Sequence, residues 1–276
     1  MATLTRPWTQ YFIIFIIPFV LWSSSLKMPR QAALYMSIGF LAPMSFWIIR
    51  NLFSIGALGD DTLTINALYH GLYPGMMYDN NPESLGFPYL FDPRSSEIST
   101  SLSSVLMEIS RRFRNSPLEY LNWYFLGKPI MLFSWNIYEG MGVVFIYSIL
   151  STPYNEQALF KITHWIMSNL NYWFLVFAVF GSLVAWLPNK AGNMDAEKRF
   201  FIRCVSALFW YFIFIQCISA PFSRYSIPMQ PIIYGMAMYL LRYLRDRLVE
   251  FSKNLRQESN LVSVEFAGGM RPPNKN

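Results

Sequence analysis

Three basic side chains stand at the ends of apolar runs, where a charge is costly unless it has a partner. Arg50 closes one run in WIIRN, Lys128 lies in LGKP, and Arg224 opens the last run in SRYSIP. An ionisable group at membrane depth commonly marks a site or pathway. Because Arg grips phosphate bidentately and Lys acts as a point charge, the three predict an anion site. Snorkelling of the side chains to lipid headgroups is the alternative.

A second set of candidate residues lies in the largest polar region of the chain, between residues 51 and 120. This region begins with the acidic pair Asp60 and Asp61 and continues through an unusually aromatic stretch. Aromatic faces with nearby carboxylates commonly hold sugar rings and hydroxyls. The predicted sugar-binding or acceptor-binding residues are His70, Tyr73, Tyr78, Tyr89, Asp92 and Tyr225, the last of these beside Arg224. A loop of turn-forming residues is the alternative for each of them.

The composition indicates where these residues are held. Hydrophobic residues make up 54% of the chain and charged residues 14%, against roughly 25% charged residues in soluble domains. A hydrocarbon layer ~30 Å thick admits only backbone that is hydrogen-bonded internally. The apolar runs are therefore predicted to be helices of an all-α membrane protein. The net charge of +6 favours anionic membrane lipids over nucleic acid as partners.

Four apolar runs approach the ~20 residues of a transmembrane helix, and a fifth follows Arg224. The runs cover residues 8–25, 32–49, 171–188, 200–219 and 227–244. The first resembles a secretory signal peptide, but its core is long and no A-x-A cleavage site follows it. We therefore predict that it is retained, and that the chain has about five to six transmembrane helices.

The orientation follows from the basic residues, which favour the cytoplasmic side in short loops. They gather at Lys27 and Arg30, between residues 190 and 199, and in the tail after residue 242. The region 51–120 is therefore predicted to lie outside, together with the N-terminus. The stretch 123–150 must then begin and end outside, and its Gly and Pro residues favour a re-entrant or broken hairpin. A single spanning helix is the alternative.

The chain thus divides into five regions. They are two N-terminal transmembrane helices (1–50), one large outer loop (51–120), a re-entrant or broken membrane hairpin with an outer segment (121–171), three transmembrane helices (172–245) and a cytoplasmic basic tail (246–276). The two cysteines, Cys204 and Cys217, lie several turns apart on one predicted helix and cannot pair with each other. Neither a redox motif nor the spacing of a metal site occurs, so no metal is predicted.

Five motifs occur in an order that resembles a known family: WIIRN, HGLYPGMMYDNN, WYFLGKPIMLFSWNIYEG, STPY and RYSIPMQP. Over residues 32–243 the chain resembles the C-terminal half of bacterial GT-C-type integral-membrane glycosyltransferases. These include the dolichyl-phosphate-mannose protein mannosyltransferases and the lipid A aminoarabinose transferases. The resemblance implies an inner-membrane enzyme that passes a sugar from a polyprenyl-phosphate carrier to a lipid, glycan or protein acceptor on the outer face. Lys128 and Arg224 would bind the carrier phosphate, with Arg50 behind them, and no other cofactor is implied.

The chain departs from the family at the catalytic acid. Family members are longer, and their catalytic acid pair lies in the first outer loop. The first turn here, SSLKMPR, has no carboxylate, and Asp60 with Asp61 matches a later loop. We therefore expect that the N-terminal half is missing, with a partner chain as its possible source. Otherwise Asp60 or Asp61 has become the catalytic base. A small transporter, an accessory subunit and a structural membrane protein are the alternatives from other classes.

Overall fold

The computed structural model describes residues 12–22, 28–56, 61–76, 87–134, 156–187 and 195–268, and these parts are helical, with no strand among them. The helices are α1 (Phe12–Trp22), α2 (Pro29–Ile55), α3 (Asp61–Gly71), α4 (Ser95–Ile98), α5 (Leu102–Asn115), α6 (Pro117–Asn122), α7 (Lys128–Leu132), α8 (Ala158–Val184), α9 (Ala196–Ile218) and α10 (Gln230–Gly268). Short 3-10 helices form at Pro88–Phe91 and Ser223–Met229, and a π-helical turn at Trp123–Gly127. The prediction of an all-α protein is therefore confirmed for the described residues.

Three helices are long and apolar enough to cross a membrane, which indicates a membrane protein. They are Pro29–Ser54 within α2, Ala158–Val184 (α8) and Ala196–Ile218 (α9). The first predicted run contains α1, a shorter apolar helix, and the rest of that run lies outside the described residues. The fifth run lies at the start of α10, whose apolar part ends at Arg242. A count above three transmembrane helices stays a prediction.

The run predicted at 171–188 begins much earlier in the structure. Helix α8 starts at Ala158 and includes residues that the sequence places in an outer segment. Polar side chains in its first half bond back to the helix: Thr163 Oγ1 donates to the Leu159 carbonyl at 2.9 Å, and Asn169 Nδ2 to the Trp165 carbonyl at 2.7 Å. These polar residues lower the hydropathy of the segment. The helix continues nevertheless, because the polar groups find acceptors one turn back.

The region predicted as the outer loop is largely helical where it is described. Residues 61–76 and 87–122 form what we call the loop module, made of α3, the 3-10 helix Pro88–Phe91 and α4 to α6. Its core consists of buried side chains from all of these elements, among them Tyr69, Leu72, Ile98 and Val105. Helix α5 is amphipathic, and Ser101 caps its N-terminus by accepting a hydrogen bond from the Ser104 N–H. The side of the membrane on which the module lies stays a prediction.

The long helices form a bundle in which α8 and α10 make the most extensive contact. Gly181 of α8 lies so close to the Met236 carbonyl of α10 that a Cβ atom would overlap it. Phe209 and Phe212 of α9 join the same core, and Phe133 reaches it from the end of α7. Helix α1 packs against α2 and α9.

Residues 117–132 form one helical run, which we call the junction helix, because α6, the π turn and α7 follow one another without a break. In the π turn the N–H of Lys128 donates to the carbonyl of Trp123, five residues earlier. This wider turn accommodates Pro129, which has no N–H to give to the helix. The predicted re-entrant hairpin is described only as far as residue 134. Its second half lies outside the described residues.

Candidate functional site

The structure brings four of the predicted sugar-binding residues together in the loop module. The His70 ring stacks on Tyr89 with 3.9 Å between centroids and 18° between planes. The Tyr73 hydroxyl donates to Asp92 Oδ2 at 2.6 Å. Residues from α3 and from the segment around the first 3-10 helix therefore share one cluster. Their role in binding a sugar stays a prediction.

The rings of this cluster are turned mostly toward each other. Tyr73 and Tyr89 are buried, and the hydroxyl of a further residue, Tyr69, donates to the Tyr89 carbonyl at 3.0 Å. Tyr69 was not predicted, although it lies in the same short stretch as His70 and Tyr73, and its ring packs edge to face on the Tyr73 ring. Because neighbouring rings cover their faces, the buried tyrosines form part of the core of the module. His70, in contrast, is only partly buried.

Burial and hydrogen bonding define the charge state of the cluster. Burial raises the pKa of Tyr73, and its hydrogen bond to Asp92 raises it further. Burial opposes ionisation of Asp92, but hydrogen bonds from Tyr73, the Arg94 N–H and Arg112 outweigh it and lower the pKa of this carboxyl. Burial lowers the pKa of His70. At neutral pH the cluster therefore combines a tyrosine donor, a carboxylate and a neutral imidazole.

An ion-pair network that the sequence analysis missed holds the cluster against α5. The Glu108 side chain is 4% exposed, and its carboxylate accepts from Arg111 at 2.6 Å and 2.8 Å and from Arg112 at 2.8 Å. Arg94 adds a longer bond at 3.4 Å. Hydrogen bonds from Arg111 and then Arg112 lower the pKa of Glu108 to about 2. The spacing of three and four residues along one helix was the available sequence signal.

Arg112 connects the two parts of the module. Its Nη2 donates to Asp92 Oδ2 at 2.9 Å, and its guanidinium lies 4.4 Å from the centre of the Tyr73 ring. Both carboxylates of this network are thus already occupied by cations. Among the described residues no three His, Cys, Asp or Glu side chains come together as metal ligands would. The network is best understood as the support of the loop module.

Lys128, the first predicted phosphate ligand, is completely buried. Its Nζ donates to the carbonyl oxygens of Ile218 at 3.3 Å and Ser219 at 3.1 Å, and lies 3.5 Å from the centre of the Tyr124 ring. The last carbonyls of a helix lack intrahelical partners and carry partial negative charge. Lys128 therefore caps the C-terminal end of α9. A phosphate would reach this ammonium only by exchanging those bonds.

Arg224 is only partly buried, and its environment differs from that of Lys128. The guanidinium lies 5.5 Å from the ring centres of Phe222 and Tyr225. It makes no ion pair with a carboxylate in the described parts of the chain. The 3-10 helix Ser223–Met229 packs against α7, so the elements of Arg224 and Lys128 are neighbours. Arg224 thus keeps donors available for an anion.

The remaining predicted residues are more dispersed. Arg50 is exposed on α2, which packs chiefly against α1 rather than against α7. Tyr225 is partly buried against the core of the bundle. Asp61 is the first residue of α3, and only its backbone is described. Asp60 and Tyr78 lie outside the described residues. The structure therefore does not place Arg50 with the other two cations.

An apolar groove of about 540 Å³ lies against the π turn and α7 and was not predicted. Helix α9 lines it with residues spaced by about one helical turn: Trp210, Ile213, Phe214, Cys217 and Ile218. Tyr172, Leu175 and Val179 of α8 form a second wall. The third wall comes from the junction helix with its flanks, including Phe113, Tyr124, Phe125 and Ile130. The groove is a surface that only the packing of three distant segments creates.

These observations define the chain as an all-helical protein, within its described residues, with three helices long and apolar enough to cross a membrane. Comparisons with protein-family models, curated proteins and solved structures find no match.

Proposed function

We propose that this protein binds a polyprenyl-phosphate carrier and transfers its sugar to a lipid, glycan or protein acceptor on the outer face of the membrane. The observation that carries the proposal is the apolar groove between α8, α9 and the junction helix. Two of its three walls are helices long and apolar enough to cross a membrane. The resemblance in motif order supplies the reaction class, a membrane glycosyltransferase of a bacterial inner membrane.

The groove suits a hydrocarbon chain in shape and chemistry. Its α9 wall runs from Trp210 to Ile218, which corresponds to about 12 Å along the helix at 1.5 Å per residue. Nearly all of the lining side chains are apolar or aromatic. A prenyl chain would lie along this wall with its phosphate toward the end at Ile218. From that end the chain continues into the 3-10 helix that carries Arg224.

Arg224 would hold the phosphate and stabilise its charge when the sugar leaves. Guanidinium binds phosphate through two parallel hydrogen bonds, and a preorganised cation lowers the barrier most where charge develops. Lys128 would act from behind, by fixing the end of α9 and the junction helix. Arg50 would lie at the edge of the site at most, because its helix packs elsewhere.

The loop module would supply the groups that meet the sugar and the acceptor. His70 and Asp92 are the members of its cluster that are not fully buried, and they would contact hydroxyl groups, Asp92 while it stays bound to Arg112. Asp60 or Asp61 would take the proton from the acceptor hydroxyl as a general base. Tyr225 lies next to Arg224 and would face the first sugar.

The test compares binding of polyprenyl phosphate and of the matching polyprenol to the purified chain in nanodiscs. Arg224→Ala should weaken binding of the phosphate by about 10-fold to 100-fold, since hydrogen bonds to charged groups contribute ~1.5–3 kcal/mol. Binding of the alcohol should not change. The matched control is Arg114→Ala, which removes an exposed arginine from α5. Equal affinity of the unaltered protein for phosphate and alcohol would overturn the role of Arg224.

The transfer step is tested with sugar-loaded carriers. Asp60→Asn and Asp61→Asn should each be assayed for transfer with carrier binding measured in parallel. Loss of transfer in one of them with unchanged binding supports a general base. Full transfer in both variants and in the double variant contradicts this role.

A further inference from the structure

We propose that the junction helix lies in the plane of the membrane and docks the loop module onto the hydrocarbon of the adjacent leaflet. The docking surface is a stripe of exposed apolar side chains along residues 118–130. The stripe consists of Leu118, Leu121, Phe125, Leu126 and Ile130. This surface goes beyond the proposed transferase activity and does not depend on it.

The position of the junction helix between two cores locates it at the membrane surface. Tyr120 and Trp123 belong to the core of the loop module. Leu132 and the following Phe133 belong to the core shared by α8, α9 and α10. The N-terminal half of this short helix therefore contacts the loop module, and its C-terminal end contacts the bundle of long helices. The boundary between two such parts of a membrane protein coincides with the boundary of the bilayer.

Two hydrogen-bond contacts hold the helix at this level. Lys128 donates to the carbonyl oxygens of Ile218 and Ser219, at the end of a helix long enough to span the membrane. Trp123 Nε1 donates to the Gly71 carbonyl of the loop module at 3.0 Å. Free carbonyls at the end of a spanning helix lie near the headgroups, where polar partners exist. Lys128 of the junction helix therefore lies at the level at which α9 ends.

The exposed stripe matches lipid rather than water. Leu118 is 81% exposed and Phe125 is 73% exposed, although both are large apolar residues. A contiguous apolar patch of this kind marks an interaction surface. Phe125 and Ile130 also line the groove against α8 and α9, so the stripe continues the lipid-facing surface of those helices. The lipid that surrounds the bundle would therefore also cover the stripe.

The length of the junction helix is consistent with a helix that lies on the bilayer and does not cross it. At 1.5 Å per residue it is about 24 Å long, short of a hydrocarbon layer ~30 Å thick. Its opposite face is occupied by Tyr120, Trp123 and Lys128. A helix with one apolar face and one face bound to polar structure typically lies at the interface. A second copy of the chain is the competing occupant of the stripe.

The experiment places a photo-crosslinking benzoylphenylalanine at Phe125 in the full chain. The protein is reconstituted into vesicles of phosphatidylethanolamine and phosphatidylglycerol, irradiated and analysed by mass spectrometry. Leu118 is substituted in a second protein, so that the test does not depend on one variant. Ser110, exposed on α5 of the same module, is the matched control position.

The expected result is a phospholipid adduct at positions 118 and 125 in at least fivefold excess over position 110. Both experimental positions are exposed, so the new side chain displaces no core residue. An adduct joining two copies of the chain would overturn the proposal in favour of a protein interface. Equal lipid labelling at all three positions, or no lipid labelling at 118 and 125, would also overturn it. Leu118 does not line the groove, so an adduct at Leu118 reports on the stripe alone, whereas an adduct at Phe125 could also come from lipid in the groove.

Discussion

The Lys128 ammonium donates to the carbonyl oxygen of Ser219 at 3.1 Å, although 91 residues separate them in the chain. Ser219 also lies against Gly71, where a Cβ atom would overlap its carbonyl oxygen. The Gly71 carbonyl in turn accepts the Trp123 indole N–H. The end of α3, the junction helix and the end of α9 are thus joined through contacts with the backbone of Gly71 and Ser219.

Removing the charge of Lys128 should destabilise the junction. Lys128→Met keeps most of the side-chain volume but leaves the carbonyl oxygens of Ile218 and Ser219 without their donor. Unsatisfied buried groups cost ~1–3 kcal/mol, so we expect a fall of about that size in the free energy of unfolding. Thermal unfolding in nanodiscs measures it.

The control for this change is Lys198→Met, because the Lys198 pair with Asp195 is exposed. Its stability should be nearly unchanged, because exposed ion pairs contribute little. If Lys128→Met is as stable as the control but loses polyprenyl phosphate, Lys128 acts on the ligand rather than on the fold.

Neutralising Glu108 should weaken the loop module. Glu108→Gln keeps the shape but leaves three arginines around a neutral amide, and breaking a buried ion pair typically costs 3–5 kcal/mol. Because two of these arginines are partly exposed, we expect about 3 kcal/mol, the lower end of this range. Denaturant unfolding monitored by tryptophan fluorescence gives the value. Glu97→Gln, at an exposed ion pair with Arg94, should be nearly neutral, and an equal loss in both variants would contradict the network.

The stability of the module should fall at acid pH. The pKa of Glu108 lies at about 2 in the folded protein, against an ordinary value of 4.5, and the pKa of Asp92 is also lowered. Since the unfolded chain binds these protons more readily, their contribution is complete above pH 4.5 and disappears as the pH falls toward 2. Unfolding at a series of pH values measures the slope. The slope between pH 4.5 and 2 should be smaller in Glu108→Gln, and an unchanged slope would assign the effect to other groups.

Adding a side chain at Gly181 should push α8 away from α10. In Gly181→Ala the added methyl group would overlap the Met236 carbonyl, and overpacking of this kind costs ~1–3 kcal/mol. Gly235→Ala is a matched control on α10, since a Cβ atom there meets nothing within 4 Å. That change should be neutral or stabilise by up to ~1 kcal/mol, because alanine favours the helix. Equal thermal midpoints for the two variants would show that α8 and α10 have room to move apart.

Local features of the sequence were sufficient for the class of protein and for part of the candidate site. The helices of the apolar runs at 32–49 and 200–219 follow from hydropathy, because hydrocarbon leaves the backbone no partner outside its own helix. His70, Tyr73, Tyr89 and Asp92 could be grouped because they lie close in the chain. The start of α8 could not be found in this way, since polar residues that bond back to the helix resemble a loop.

The tertiary structure alone decided what the charged residues do. Lys128 and Arg224 both looked like phosphate ligands, because both are basic residues near proline at the ends of apolar runs. Packing puts the carbonyls of Ile218 and Ser219 around Lys128 and leaves Arg224 without a carboxylate among the described residues. The partners of a charge come from segments far away in the chain. The sequence therefore determined which residues could bind an anion, and the fold determined which of them still has donors to offer.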